Sequence, residues 1–145
     1  VLLAIGIGIY GGVSDSYGPN GIVQHINDGE LEVDDVAKFI DRGADINIRD
    51  QHGETALYTA MYSDQESLIL KLIEQGADVN QRTGVDGSSP FKYALQDSES
   101  LTVIRALLAK GASVDFSIDD MTLLAWVRES ENEELATLLL EFVAK

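Results

Sequence analysis

Apolar residues recur three and four positions apart through most of the chain. Leu68, Ile69, Leu72 and Ile73 share one side of a helix, with Glu66 and Glu74 outside it. This spacing predicts a helix over about 65–75. A shorter run with Leu57 and Ala60 on its inner side predicts a helix over about 55–62. Thr55 stands where a hydroxyl can accept from a first-turn N–H. Asp64 separates the two helices, and Gly76 ends the second, because a left-handed residue past the last turn needs no Cβ. Further along, Ser89 and Thr122 take the place of Thr55. Pro90 takes a first helical position, where its missing N–H costs nothing. Between Asn80 and Gly87 the pattern gives way to an extended turn.

The pattern repeats. Gly43-Ala44-Asp45-Ile46-Asn47 recurs as Gly76-Ala77-Asp78-Val79-Asn80 and as Gly111-Ala112-Ser113-Val114-Asp115, at steps of 33 and 35 residues. Thr55-Ala56-Leu57-Tyr58-Thr59-Ala60 recurs as Ser89-Pro90-Phe91-Lys92-Tyr93-Ala94 and as Thr122-Leu123-Leu124-Ala125. Two markers held in phase at one period indicate stacked supersecondary units. One helix pair has apolar residues on both broad sides and buries them only against neighbouring pairs. The expected shared interface is Phe39, Ile40, Leu57, Leu72, Ile73, Phe91, Ile104, Leu107, Leu108, Leu124, Leu138 and Leu139. Small Ala60 and Ala94 let adjacent helices approach closely. Trp126, within a helix beside an apolar run, is expected in the core.

Val1 to Val13 is uncharged and mostly apolar, and Tyr17-Gly18-Pro19-Asn20-Gly21 breaks the chain after it. Thirteen residues are too few to span a bilayer, which takes about 20. Three readings stand: the apolar region of a signal peptide, part of an anchor helix, or an extension packed on the domain. The first two favour an exported or membrane-anchored protein over a cytoplasmic one. Gly6, Gly8 and Gly11 spell a dinucleotide-type glycine motif, but no helix of useful length can follow before Pro19.

Composition narrows the chemistry. There is no cysteine, which excludes disulfides, a thiol nucleophile and thiolate metal sites. The formal charge of −15 opposes binding to nucleic-acid phosphates and anionic lipid. The excess lies at the ends: six acids and no Lys or Arg within residues 1–37, seven acids against two bases within 119–145. Such a surface suits a basic protein partner. His25 and His52 are the only histidines, and no G-x-S-x-G accompanies them. Asp115 to Asp120 lacks the glycine and bidentate glutamate of a calcium loop. No catalysis, metal or cofactor is expected.

TALYTA and SPFKYA resemble the ankyrin T-P-L-H-x-A motif, and GADIN, GADVN and GASVD resemble the ankyrin turn that follows the second helix. The resemblance implies an all-α ankyrin-repeat solenoid of helix-turn-helix units with extended, hairpin-like turns. Residues 1–19 would precede a repeat domain over 20–145, with units at about 20–49, 50–83, 84–118 and 119–145. The first unit offers Gly21–Asn27 as its first helix and about 31–42 as its second. The last would end in a charged capping helix, Glu129–Glu141. The family histidine is replaced by Tyr58, Lys92 and Ala125.

The resemblance further implies a monomeric, non-catalytic module that binds a protein through turn tips and the concave face of its first helices. Carried over by position, the partner-binding residues are Gln51, His52, Glu54, Tyr62 and Ser63 in the second unit. They are Val85, Asp86, Ser88, Gln96 and Asp97 in the third, and Ile118, Asp119, Met121, Glu129 and Ser130 in the fourth. Two alternatives share this architecture: an acidic, immunity-like inhibitor of a basic enzyme in the cell envelope, and a scaffold segment of a larger protein.

Overall fold

The computed structural model describes residues 21–29, 31–83, 87–97 and 100–143. The apolar segment 1–19 and its glycine motif lie outside these residues. The chain divides into two compact units between Asp78 and Val79.

The first unit holds α1 (Gly21–Asn27), α2 (Asp35–Asp41), α3 (Ala56–Tyr62) and α4 (Glu66–Glu74). α1 buries Ile22, Val23 and Ile26 and packs against α3, and α3 packs against α4. First helix thus lies beside first helix, as stacking of pairs requires. α2 is shorter than the sequence suggests. Residues 32–34 form a turn in which Asp35 N–H donates to the Glu32 carbonyl at 2.9 Å. Leu31 is nevertheless buried, held by a bond from its N–H to the His25 carbonyl at 3.1 Å. The His25 ring meets Phe39 edge-on at 5.4 Å, and Val36 is fully buried. On α4, Leu68, Ile69, Leu72 and Ile73 are all 2% exposed or less. Each such side chain is worth roughly 1.5–3 kcal/mol relative to exposure.

The second unit holds α5 (Pro90–Asp97), α6 (Leu101–Ala109), a two-stranded antiparallel hairpin of β1 (Ser117–Ile118) and β2 (Met121–Thr122), then α7 (Leu123–Glu129) and α8 (Glu133–Val143). Ser117 pairs with Thr122 and Ile118 with Met121. The hairpin turn is Asp119-Asp120, both at positive φ, 50° and 62°. A two-residue turn with both centres left-handed matches the twist of the flanking strands, and aspartate tolerates that backbone better than most residues. A second extended turn is closed by Thr83 and Ser88, paired as an isolated bridge. α5 packs on α6, α7 on α8, and α6 on α8. The Phe116 ring, in the turn ahead of β1, meets Phe91 of α5 edge-on at 5.8 Å.

Helix starts follow the predicted caps. The hydroxyls of Thr55, Ser89 and Thr122 accept from the N–H of Tyr58, Lys92 and Ala125 at 3.3, 3.2 and 3.4 Å. Helix ends repeat too. Gly43, Gly76 and Gly111 have φ of 91°, 97° and 84°. The alanine after each donates to the carbonyl five residues back: Ala44 to Phe39, Ala77 to Leu72 and Ala112 to Leu107, each at 3.0 Å. This closure satisfies carbonyls that the last helical turn leaves open. Asp64, φ 52°, ends α3 in the same way, with Gln65 N–H on the Ala60 carbonyl at 3.1 Å.

Two expectations change. The single capping helix over Glu129–Glu141 is broken. Ser130 Oγ donates to the Val127 carbonyl at 2.8 Å, Glu131 turns left-handed at φ 56°, and Asn132 caps α8 by accepting from Leu135 N–H at 2.9 Å. Leu124, assigned to the shared interface, is 36% exposed, while its neighbour Leu123 is 4% exposed. Ile40 is only half-buried. Leu138 and Leu139 are buried as expected.

The asparagines closing GADIN and GADVN join successive repeats. Asn47 Oδ1 accepts from Asp78 N–H, and Asn80 Oδ1 accepts from Ser113 N–H, both at 2.7 Å. Asn80 Nδ2 also donates to the Gly111 carbonyl at 3.0 Å. Each bond reaches the third residue of the next glycine-alanine turn. Asn47→Ala and Asn80→Ala are each expected to lower unfolding free energy by about 1 kcal/mol, and more for Asn80, measured by urea denaturation. Thr59 is 2% exposed, and its Oγ1 has no hydrogen-bond partner among the described residues. Thr59→Val keeps the shape and removes a stranded hydroxyl, so it should raise stability by about 1 kcal/mol in the same measurement.

Candidate functional site

The residues expected to meet a partner fall into separate groups at opposite ends of the first helices. In the first unit, Gln51, His52 and Glu54 occupy one turn ahead of α3. Asp50 organises that turn. Its Oδ1 accepts from the N–H of His52 at 2.8 Å and of Glu54 at 2.9 Å. Asp50 N–H donates to the Glu54 carbonyl at 2.9 Å, and Gly53 N–H to the Asp50 carbonyl at 3.0 Å. Arg49 Nη1 donates to the Gly53 carbonyl at 3.0 Å, with Gly53 at φ 78°. Gln51 and His52 are exposed at the tip, their side-chain nitrogens 3.2 Å apart, and Glu54 is half-buried. The sequence offered Gln51 and His52 by position only. Asp50, which fixes them, was not among the expected residues, although a D-x-H-G run is a recognisable side-chain-to-backbone turn.

Tyr62 and Ser63 lie at the other end of α3, about 10 Å along the helix by its rise per residue. Tyr62 is 74% exposed, whereas Ala56, Leu57, Thr59, Ala60 and Met61 of the same helix are buried. Ser63 is exposed, and the left-handed Asp64 turns the chain away after it.

In the second unit, the structure removes two residues from the expected surface. Ile118 is 1% exposed and Ser88 is 6% exposed. Both sit in the extended turns, where one strand face must point inward. Alternation along a strand places a side chain on the core side at every second position. Val85, Asp86 and the side chain of Asp97 lie outside the described residues. Asp119 is exposed at the hairpin tip, and Met121 is half-buried beside it.

Gln96 and Ser130 are brought together. They line a groove with Leu95, Leu101, Ile104, Trp126, Asn132 and Leu135, and Glu129 is exposed next to Ser130. Trp126, expected in the core, is half-buried in this groove. Its register position corresponds to Thr59, which is buried, and to Tyr93, which is half-buried, so register gives no sign that it reaches the groove.

Among the described residues no cluster of His, Cys, Asp and Glu is placed to hold a metal ion. Asp35 lies away from the site, on α2. The side-chain hydrogen bond from Lys38 holds Asp35 below the usual range. Because the folded value is depressed, the stabilisation this pair gives is present above pH about 3.8 and is lost as pH falls through the folded value. Among the described residues no helix is long and apolar enough to cross a membrane.

A family model described as ankyrin repeats, in three copies, matches residues 23–118. The chain belongs to the ankyrin-repeat family. Comparison with curated protein sequences gave no match. Ankyrin repeats form helix-turn-helix solenoids, and the predominantly helical structure with one short hairpin agrees. They are in general protein–protein interaction modules and typically non-catalytic.

In this ankyrin protein the Asp50 turn gives a direct check on site order. Asp50→Ala removes the acceptor for two backbone N–H groups. It should speed amide exchange at His52 and Glu54 at least tenfold, with little change at Leu72 or Leu107, by exchange-detected NMR.

Proposed function

We propose that this chain is a non-catalytic binding module that grips a protein partner through the exposed ends of its first helices and the turns ahead of them. The observation that carries this reading is Tyr62. An aromatic side chain 74% exposed at the end of a mostly buried helix keeps its large apolar face in water. Tyrosine is among the residues that dominate binding energy when a partner covers it. The Asp50-braced tip with Gln51 and His52 adds polar groups on a turn that loses little entropy on binding. Gln96, Glu129 and Ser130 supply the corresponding contacts in the second unit, with Trp126 as an apolar anchor beside them.

Photo-crosslinking in the native source tests this reading. A crosslinking residue at position 62 should trap one partner protein, and one at Thr102, exposed on a second helix, should not. Equal trapping at both positions, or trapping at Thr102 alone, would refute it. Tyr62→Ala is expected to weaken binding of the trapped partner by tenfold or more while leaving the circular dichroism spectrum unchanged.

The charge of −15 favours a second, more specific reading: an acidic, immunity-like inhibitor of a basic enzyme. Asp119, Asp120, Glu129, Glu131, Glu133 and Glu134 are all exposed in the second unit. Electrostatic steering raises association rates and is screened by salt. The inhibitor reading predicts an association rate falling about tenfold or more from low to high salt, with dissociation little changed. A salt-independent association rate would count against it.

A further inference from the structure

We propose that the groove around Trp126 takes an arginine side chain of the partner, its stem laid on the apolar floor and its guanidinium stacked against the indole. The inference rests on the reading that this chain binds a protein, and it names the chemistry that the second unit recognises.

The groove forms where two helix pairs turn. α5 and α7 end on it, with Leu95, Gln96 and Trp126 in their last turns. α6 and α8 begin on it, with Leu101 and Leu135 in their first. Leu95, Ile104 and Leu135 form its floor, at 8%, 2% and 5% exposed. Leu101 and Trp126 are half-buried, and Gln96, Ser130 and Asn132 are exposed at the rim. Its walls come from both described pairs of the second unit, so no element beyond them is needed to form it. At about 320 Å³ it lies at the low end of ligand pockets, roughly 300–1,000 Å³, and suits one inserted side chain.

Electrostatics select the side chain. Helix dipoles give little preference, because two helices present their C-terminal ends here and two their N-terminal ends. Glu129, Glu131, Glu133 and Glu134 flank Ser130 and Asn132; all four are exposed, and none makes an ion pair among the described residues. Opposing cations are fewer. Arg128 lies about 200° round α7 from Trp126, on the far side. Lys92 and Arg105 stand one turn from Gln96 and Leu101, on the α5–α6 wall, and neither lines the groove. An acidic side chain would be repelled, and an apolar one would cover the floor without using the carboxylates. Arginine uses both. Its methylene stem covers Leu101 and Leu135, and its planar head stacks on an indole face while keeping donors at its edge, which lysine cannot do. Ser130 Oγ gives its proton to the Val127 carbonyl at 2.8 Å, so its oxygen is left as an acceptor for those donors. A second copy of this chain is a poor source of the arginine, with −15 on each molecule.

Trp126 is the only tryptophan, so its indole N–H reports on this groove alone. The test is NMR titration of the full chain with N-acetyl-arginine methylamide at constant ionic strength, beside the citrulline, lysine and norleucine analogues. The arginine probe should shift the Trp126 indole signal and the Ser130 and Asn132 amides saturably. Citrulline, which keeps the shape and loses the charge, should bind tenfold or more weakly, as should norleucine, and lysine should bind severalfold more weakly. Glu129→Gln combined with Glu131→Gln, both at exposed positions, should weaken arginine binding severalfold with the rest of the amide spectrum unchanged. Trp126→Leu should weaken it tenfold or more, read on the Ser130 amide. Absence of a saturable shift with arginine would overturn the proposal. So would equal binding of lysine or of norleucine, or arginine binding that survives both the double variant and Trp126→Leu. Neither position 62 nor a partner protein enters this titration, so its failure beside successful crosslinking at 62 would overturn this inference alone and leave the binding-module reading standing.

Discussion

Every helix among the described residues is short. The described helices run from seven to eleven residues, below the roughly 12–15 at which an isolated helix becomes even marginally stable in water. No element can therefore stand alone, and each depends on a neighbour to cover its apolar sides. That dependence explains the side-by-side packing of α1 with α3 and of α6 with α8. It also explains the recurrence of the same caps and closures. When helices are this brief, the unsatisfied groups at their ends are a large share of the backbone, so sealing them matters. Threonine, serine or asparagine seals the starts of α3, α5, α6, α7 and α8, and left-handed glycine or aspartate closes the ends of α2, α3, α4 and α6.

Much of this was legible in the residues. The hydroxyl caps, the glycine closures and the apolar runs carry their physics locally, so the sequence predicts α3, α4 and α1 closely. It is less informative where an outcome depends on a single competing bond. The turn at 32–34 shortens α2 because a backbone bond forms ahead of it. The break at Glu131 divides what reads as one acidic helix, because Ser130 and Asn132 offer the backbone other partners. Neither competition leaves a strong mark on apolar periodicity.

The candidate surface was legible by register and not by chemistry. Position alone named Gln51, His52, Tyr62, Gln96 and Ser130, which are exposed or line a groove, but also Ile118 and Ser88, which strand alternation turns inward. Position could not show that Asp50 holds the first tip rigid, because that depends on one carboxylate oxygen reaching two amides. Nor could it place Trp126, whose bulk suggests a core and whose register equivalents are buried Thr59 and half-buried Tyr93. Only the groove formed with Gln96 and Ser130 shows that its edge is open.

The asparagine bonds between repeats bear on how the chain folds. They join residues 31 and 33 apart, and the helix contacts within each unit connect near neighbours along the chain. No described bond or packing within a unit waits for distant segments to meet, so little loop entropy is lost before contacts form. Folding of such an array can begin wherever one pair and its neighbour first close, then spread outward. The pairs joined through Asn47 and Asn80 are the natural place for it to begin.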